Sequence, residues 1–228
     1  MQEVGFPVPG WTARTKPPRT AMEGDYCRVE PLKAERHAAE LFRAFAGAGE
    51  NWTYLPQTPP TDLSGYKAWV EQVEAGSDPL FHALIDKRSG RAEGVAALMR
   101  IDTANGVIEV GSINYGPALK RSRIATEAMF LFARRVFDEL GYRRFEWKCD
   151  SLNEPSRRAA QRYGFTFEGI FRQAVVYKGR NRDTAWFSII DREWPRLKES
   201  YTRWLEPGNF AADGRQLRSL GAFRGFDG

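Results

Sequence analysis

Lys120, Arg121, Ser122 and Arg123 stand immediately ahead of Ile124, Ala128, Leu131, Phe132, Val136 and Leu140, whose spacing is that of one apolar helical stripe. A helix start presents backbone N–H groups and the positive end of the peptide dipole, so it prefers negative charge. Three cations there make sense if an outside anion supplies that charge, and the chemistry indicated is the holding of phosphate. On helix-start chemistry alone, a solvated surface turn explains the same residues equally well. A second helix start, Asn153-Glu-Pro-Ser156, opens a run that closes at Gly164-Phe165, so two starts could wall one cradle. Two carboxylates sit inside alternating patterns, Ile108-Glu109-Val110 and Phe145-Glu146-Trp147, and alternation alone turns such residues toward solvent.

The elements that must position these residues are readable around them. Residues 1–22 carry Pro7, Pro9, Pro17 and Pro18, which exclude a regular helix and imply an extended arm that Phe6 and Trp11 could anchor. A short strand is expected over 25–32. Two helices follow, one with Ala38, Leu41, Phe42 and Phe45 on a face, the other with Tyr66, Trp69, Val70 and Val73. Three strands come next: 80–86, 92–102 closed by the hairpin signal Asn105-Gly106, and 107–115. Beyond them the pattern predicts helix 123–140, strand 143–150, helix 153–163 and strands near 165–177 and 184–191, with the turn Lys178-Gly-Arg-Asn181 between the last two. That order implies a mixed α/β sheet with antiparallel pairs at the ends and a parallel-type crossover between 115 and 143. Helix-like Trp194–Leu205 leads into a polar, glycine-rich tail, giving an arm (1–22), a central domain (23–195) and a C-terminal helix and tail (196–228).

Composition narrows the function classes. Among 228 residues, 42% are hydrophobic and 28% charged, as in soluble globular chains. A net charge of +5, from 34 basic and 29 acidic residues, permits an anionic ligand without demanding nucleic acid. Arg134, Arg135, Arg143, Arg144, Arg157 and Arg158 are interspersed with Asp138, Glu139 and Glu146 and read as a solvated surface. Two cysteines, Cys27 and Cys149, and two histidines, His37 and His82, offer no metal spacing, so no metal is expected and the thiols read as buried and reduced. Neither a signal-peptide pattern nor a membrane-length apolar run is visible, and the expected location is cytoplasmic.

The run from strand 107–115 through Phe165 resembles the GNAT superfamily of N-acetyltransferases, and within it the RimJ/RimL branch. The superfamily's coenzyme A motif reads Gln/Arg-x-x-Gly-x-Gly/Ala at this helix entry. Lys120 falls at its first position, Arg123 at the glycine and Ala125 at the last. Thr126-Glu-Ala128 matches the branch's continuation, and Asn153-x-x-Ser156 with Gly164-Phe165 matches its second signature; the likeness spans residues 25–191. It implies a GNAT-like fold, a mostly antiparallel sheet with a splayed parallel pair flanked by helices. It also implies acetyl-CoA as co-substrate, held by Ile113, Tyr115, Lys120, Arg121, Ser122, Arg123, Ile124, Ala125, Thr126, Asn153 and Ser156. Glycine normally lets the backbone approach the pyrophosphate, whereas Arg123 could crowd it or point outward and pair with phosphate.

By the same resemblance, a free backbone N–H on strand 107–115, at Gly111 or Ile113, stabilises the oxyanion, and Glu109 is the base, with Glu146 as rival. The tyrosine that commonly protonates the leaving thiolate would fall at Ala160, so it is missing, and Ser156 stands near the sulfur; capping of the helix start with Asn153 is its other reading. The acceptor groove is expected between loop 50–60, helix 63–75 and the turn 178–181, with Trp52, Tyr54 and Tyr177 suiting an amphipathic amine. Acceptors in view are a protein N-terminus or a small amine, with a non-catalytic acyl-CoA-binding protein as the rival class. Similar proteins commonly dimerise, so a homodimer is also in view.

Overall fold

Alternation along its strands sorts the chain's apolar residues onto the two faces of one sheet. The computed structural model describes residues 2–225, so the last three residues of the expected tail lie outside the described part. In chain order the elements are β1 (Met22–Glu23), β2 (Cys27–Pro31), α1 (Ala34–Ala44), α2 (Leu63–Glu74), β3 (Leu80–Asp86), β4 (Arg91–Asp102), β5 (Val107–Tyr115) and α3 (Arg123–Arg134). Then come β6 (Arg144–Asp150), α4 (Glu154–Tyr163), β7 (Thr166–Tyr177), β8 (Arg180–Ile190) and α5 (Trp194–Leu205). The eight strands form a sheet of order β1-β2-β3-β4-β5-β6-β8-β7, in which β5 and β6 are parallel and all other neighbours antiparallel. This is the mixed α/β sheet expected from the element order.

On one face, Phe81, Ala83, Ile85, Val95 and Ala97 pack with α1 and α2 in a first core. On the other, Leu84, Leu98, Ile108, Val110, Phe145, Trp147 and Phe187 pack with α3, α4 and α5 in a larger one. The helices cover both faces only over the first half of the sheet. Across β5, β6 and β8, the residues turned away from α3 are mostly polar, Glu109, Glu146, Lys148, Asp150, Thr184 and Ser188, with Trp186 among them opposite Lys148. That polar half-face lies beside the parallel pair.

Several expected boundaries shift. The helix expected over 123–140 is α-helical to Arg134 and continues as a π turn, Arg135–Glu139. The wide turn coincides with burial of Arg135, whose guanidinium pairs with Glu139 (2.5 Å) and donates to the carbonyl of Ala21 (3.2 Å). The hairpin turn expected over 178–181 contracts to Lys178-Gly179, with φ of 49° and 70°, and β8 begins at Arg180. Two left-handed residues match the twist of the flanking strands, which lets the ladder run to Tyr177↔Arg180.

The arm is pinned by Trp11, whose indole N–H donates to the Ala104 carbonyl (2.9 Å), and by Tyr142, whose hydroxyl donates to that of Thr15 (3.1 Å). Phe6, expected as a second anchor, is 72% exposed. The C-terminal segment joins the larger core through Leu220 and Phe210 rather than trailing from it.

Candidate active site

The parallel pairing is short. β5 and β6 match at Val107↔Arg144, Ile108↔Phe145 and Glu109↔Glu146 and then separate, although β5 runs on to Tyr115 and β6 to Asp150. Just past the point of separation, the β4–β5 register moves from Ala97↔Gly111 to Val95↔Asn114, which places one extra residue in β5, and Ser112 takes a left-handed φ of 49°. A bulge of this kind interrupts the ladder and leaves backbone groups unpaired. It lies between Gly111 and Ile113, the two positions expected to offer an oxyanion donor. α3 follows β5 and α4 follows β6, so both helices begin at the carboxyl ends of the diverging strands, where open α/β sheets take their ligands.

Ser122 is the N-cap of α3: its hydroxyl accepts from the Ala125 N–H (3.1 Å) and donates to the Leu119 carbonyl (2.7 Å). The Thr126 N–H donates to the Ser122 carbonyl (3.4 Å), so the N–H groups of Arg123 and Ile124 are the ones a first turn leaves without intrahelical acceptors. The three cations do different things. Lys120 is exposed and 3.4 Å from Glu50, and Arg121 is exposed in a left-handed turn (φ 57°). The Arg123 guanidinium lies between two rings, 4.2 Å from the Tyr26 centroid and 3.8 Å from that of Phe210. It therefore rests on the β1–β2 turn and the C-terminal segment. Ile113 and Tyr115 are half-buried against the larger core.

Asn153 caps α4, its carbonyl oxygen accepting from the Ser156 N–H at 3.2 Å. The Ser156 hydroxyl accepts from the Trp147 indole N–H (3.0 Å) and neighbours the Cys149 thiol, whose pKa burial raises. Helix capping and a hydroxyl turned toward β6 thus occur together. Ala160 is fully buried in the core.

Glu109 and Glu146 are both buried, 3% and 7% exposed, so the solvent-facing outcome of alternation does not hold for either. The reason is Lys148, two residues along β6 on the same face, its side chain only 6% exposed. Its ammonium lies 3.0 Å from Glu109 Oε2, 2.7 Å from Glu146 Oε2 and 3.8 Å from the Trp186 ring centroid. Arg100 pairs with Glu109 Oε2 (2.7 Å) from β4, and Arg144 with Glu146 Oε1 (2.7 Å) and Glu168. Both oxygens of Glu146 are thereby occupied, whereas Glu109 keeps Oε1 beside Gly111. Sequence reasoning missed Lys148 and Arg100; the period-two series Glu146, Lys148, Asp150 is the signal for the first.

Two of the three segments expected to line the acceptor groove, the loop and the hairpin turn, come together. The Lys178 ammonium donates to the Trp52 carbonyl (2.6 Å), the Tyr177 hydroxyl to Asp150 (2.9 Å) and the Tyr54 hydroxyl to the Leu152 carbonyl (3.2 Å). The β7–β8 hairpin tip, loop 49–57 and the turn into α4 therefore form one rim. Trp52 itself is buried in the smaller core.

A family model described as "Acetyltransferase (GNAT) domain" matches residues 28–166, which include the splayed pair and both helix starts. The chain belongs to the GNAT family of acetyltransferases. A GCN5-related N-acetyltransferase from Brucella melitensis superimposes with a TM-score of 0.94 at 54% identity, covering 96% of this chain and 100% of that one. A curated protein of Bacillus subtilis strain 168, named "Putative ribosomal N-acetyltransferase YdaF", is 26% identical over 176 residues, 73% of this chain and 90% of its own. The fold is shared with the microcin C7 self-immunity acetyltransferase MccE, solved with acetyl-CoA and AMP (TM-score 0.64, 23% identity, 73% of this chain and 93% of that one). GNAT acetyltransferases use acetyl-CoA as co-substrate. Among the described residues, no group of three or more His, Cys, Asp and Glu is placed to hold a metal ion, and no helix is long and apolar enough to cross a membrane.

Proposed function

We propose that this GNAT enzyme transfers the acetyl group of acetyl-CoA to the primary amine of a protein N-terminus or of a small molecule, by direct attack in a ternary complex. The observation that carries the reading is the splay of β5 from β6 directly beneath two helix starts. The residues there fit the co-substrate: the first-turn N–H groups of α3 are open, and the side chain at 123 lies on Tyr26 and Phe210. Lys120, Arg121, Ser122, Ile124, Ala125 and Thr126, with Asn153 across the slot, would hold the phosphates, and Ile113, Tyr115 and Ser156 the thioester end. When bound, acetyl-CoA supplies an acyl group activated as a thioester.

The chain's own residues supply three services. The β5 bulge offers backbone N–H groups at Gly111–Ile113 to developing negative charge. Glu109, with Oε1 free of its cations, is the base that relieves the acceptor ammonium of its proton, a task for which Glu146 has no open oxygen. Ser156, a poor acid by itself, relays a proton through water to the departing sulfur. The B. subtilis relative named for ribosomal N-acetylation supports a peptide acceptor and the RimJ/RimL likeness. Thiol release measured with acetyl-CoA against N-terminal peptides and small amines is the test. Glu109→Gln is expected to lower kcat by roughly a hundredfold, the scale of one general base, and Ser156→Ala less, with little change in calorimetric affinity for acetyl-CoA. Wild-type turnover in both variants removes these roles; saturable binding without turnover of any amine leaves an acyl-CoA-binding protein.

A further inference from the structure

Under α2 lies a small cavity of about 10 Å³, room for one water-sized group, whose walls include Trp52, Leu55, Trp69 and Phe81. Two further lining residues, Tyr66 and Asn114, are 1% and 3% exposed, and the Tyr66 hydroxyl and Asn114 Nδ2 have no hydrogen-bond partner among the described residues. Orphaned buried polar atoms are rare because each forfeits its hydration without return.

The orientation of the Asn114 amide follows from its neighbour. The Tyr115 carbonyl can only accept, so Asn51 must present its amino group there, at 2.8 Å. That same amino group donates to Asn114 at 2.8 Å, which obliges Asn114 to turn its oxygen toward Asn51 and its own amino group elsewhere. Asn114 Nδ2 is therefore a donor left for the pocket. Burial raises the Tyr66 hydroxyl pKa well above its usual value, so it stays protonated and donates as well. No charged residue lines the pocket, so a carboxylate or phosphate would be buried there without a counter-charge.

We propose that this pocket recognises a neutral hydroxyl or carbonyl oxygen carried by the acceptor close to its amine, with Tyr66 Oη and Asn114 Nδ2 donating to it. The assignment of the occupant as the acceptor rests on the acetyl-transfer reading, since Asn114 follows the β5 bulge directly. Both donor atoms are covered by the lining, so entry requires the loop 53–61, which carries Leu55, to give way.

The test compares isosteric acceptors, peptides beginning with Thr against Val and with Asn against Leu. The wild type is expected to favour an oxygen-bearing member by roughly tenfold or more in kcat/KM, the return on two buried hydrogen bonds, and Tyr66→Phe and Asn114→Leu each to bring the ratio toward one. Equal rates within both pairs, or a preference unchanged in Tyr66→Phe, overturn the proposal. An independent readout is the side-chain amide resonance of Asn114, identified by its loss in Asn114→Leu, during titration with the same peptides. A shift with Thr or Asn peptides and none with their isosteres supports the pocket. No shift with any peptide, as when ordered water alone fills it, overturns it. A selective shift without thiol release from any amine sinks the acetyl-transfer reading and leaves the pocket's selectivity standing.

Discussion

Lys148 holds together two carboxylates that the parallel register Glu109↔Glu146 brings side by side. Like charges directly opposite repel, and here the shared ammonium replaces that repulsion with two attractions. Lys148→Met leaves both carboxylates buried with only their outer arginines. The expected loss is about 3–5 kcal/mol in urea denaturation, the usual cost of removing one partner from a buried pair. Adding Glu109→Gln to Lys148→Met should recover part of that loss, and strict additivity of the two would show that they do not interact. At this scale the sequence is half legible. Strand alternation makes Glu109 and Glu146 visible, but their burial depends on cations from β4 and β6 whose approach no local pattern encodes.

Among elements, α3 is tied to the start of the sheet by Glu127. Its carboxylate accepts from the backbone N–H groups of Asp25 (2.8 Å), Tyr26 (2.8 Å) and Cys27 (2.5 Å), so one side chain closes the β1–β2 turn. Burial nonetheless raises its pKa above the usual carboxylate value. Glu127→Gln keeps one acceptor oxygen for three donors and is expected to speed hydrogen exchange at residues 25–27 by roughly tenfold, equivalent to about 1.4 kcal/mol of local opening. Unchanged protection there would show that the turn closes without it. The helices and long strands are readable because their apolar periods extend over several turns or pleats. The two-residue β1, the bulge at Ser112 and the π turn at Arg135–Glu139 are not, since each follows from how neighbouring segments fit together.

For the whole molecule, His82 ties stability to pH. It lies on β3 at the interface with α3, 2% exposed, its ring 5.3 Å from that of Phe132. Burial lowers its pKa from 6.5 to about 4, with the charges of Arg135 and Arg19 adding to the effect. The unfolded chain therefore takes up this proton below pH 6.5 while the folded one does not. Stability is expected to fall as the pH drops from 6.5 to 4, by up to about 3 kcal/mol, and this contribution levels off below pH 4. Denaturant melts across that range should show a flatter slope for His82→Gln; an identical slope assigns the dependence to other groups.

The perch of Arg123 also bears on how this enzyme can be altered. Placing glycine at 123 is not a purely local change. The change strips a cation from the faces of Tyr26 and Phe210, each contact being worth about 0.5–2 kcal/mol. The Tyr26 hydroxyl also donates to the Leu205 carbonyl at the end of α5. Positions 26, 123 and 210 are therefore expected to depend on one another, with glycine at 123 better tolerated alongside rings repacked to close the gap it leaves.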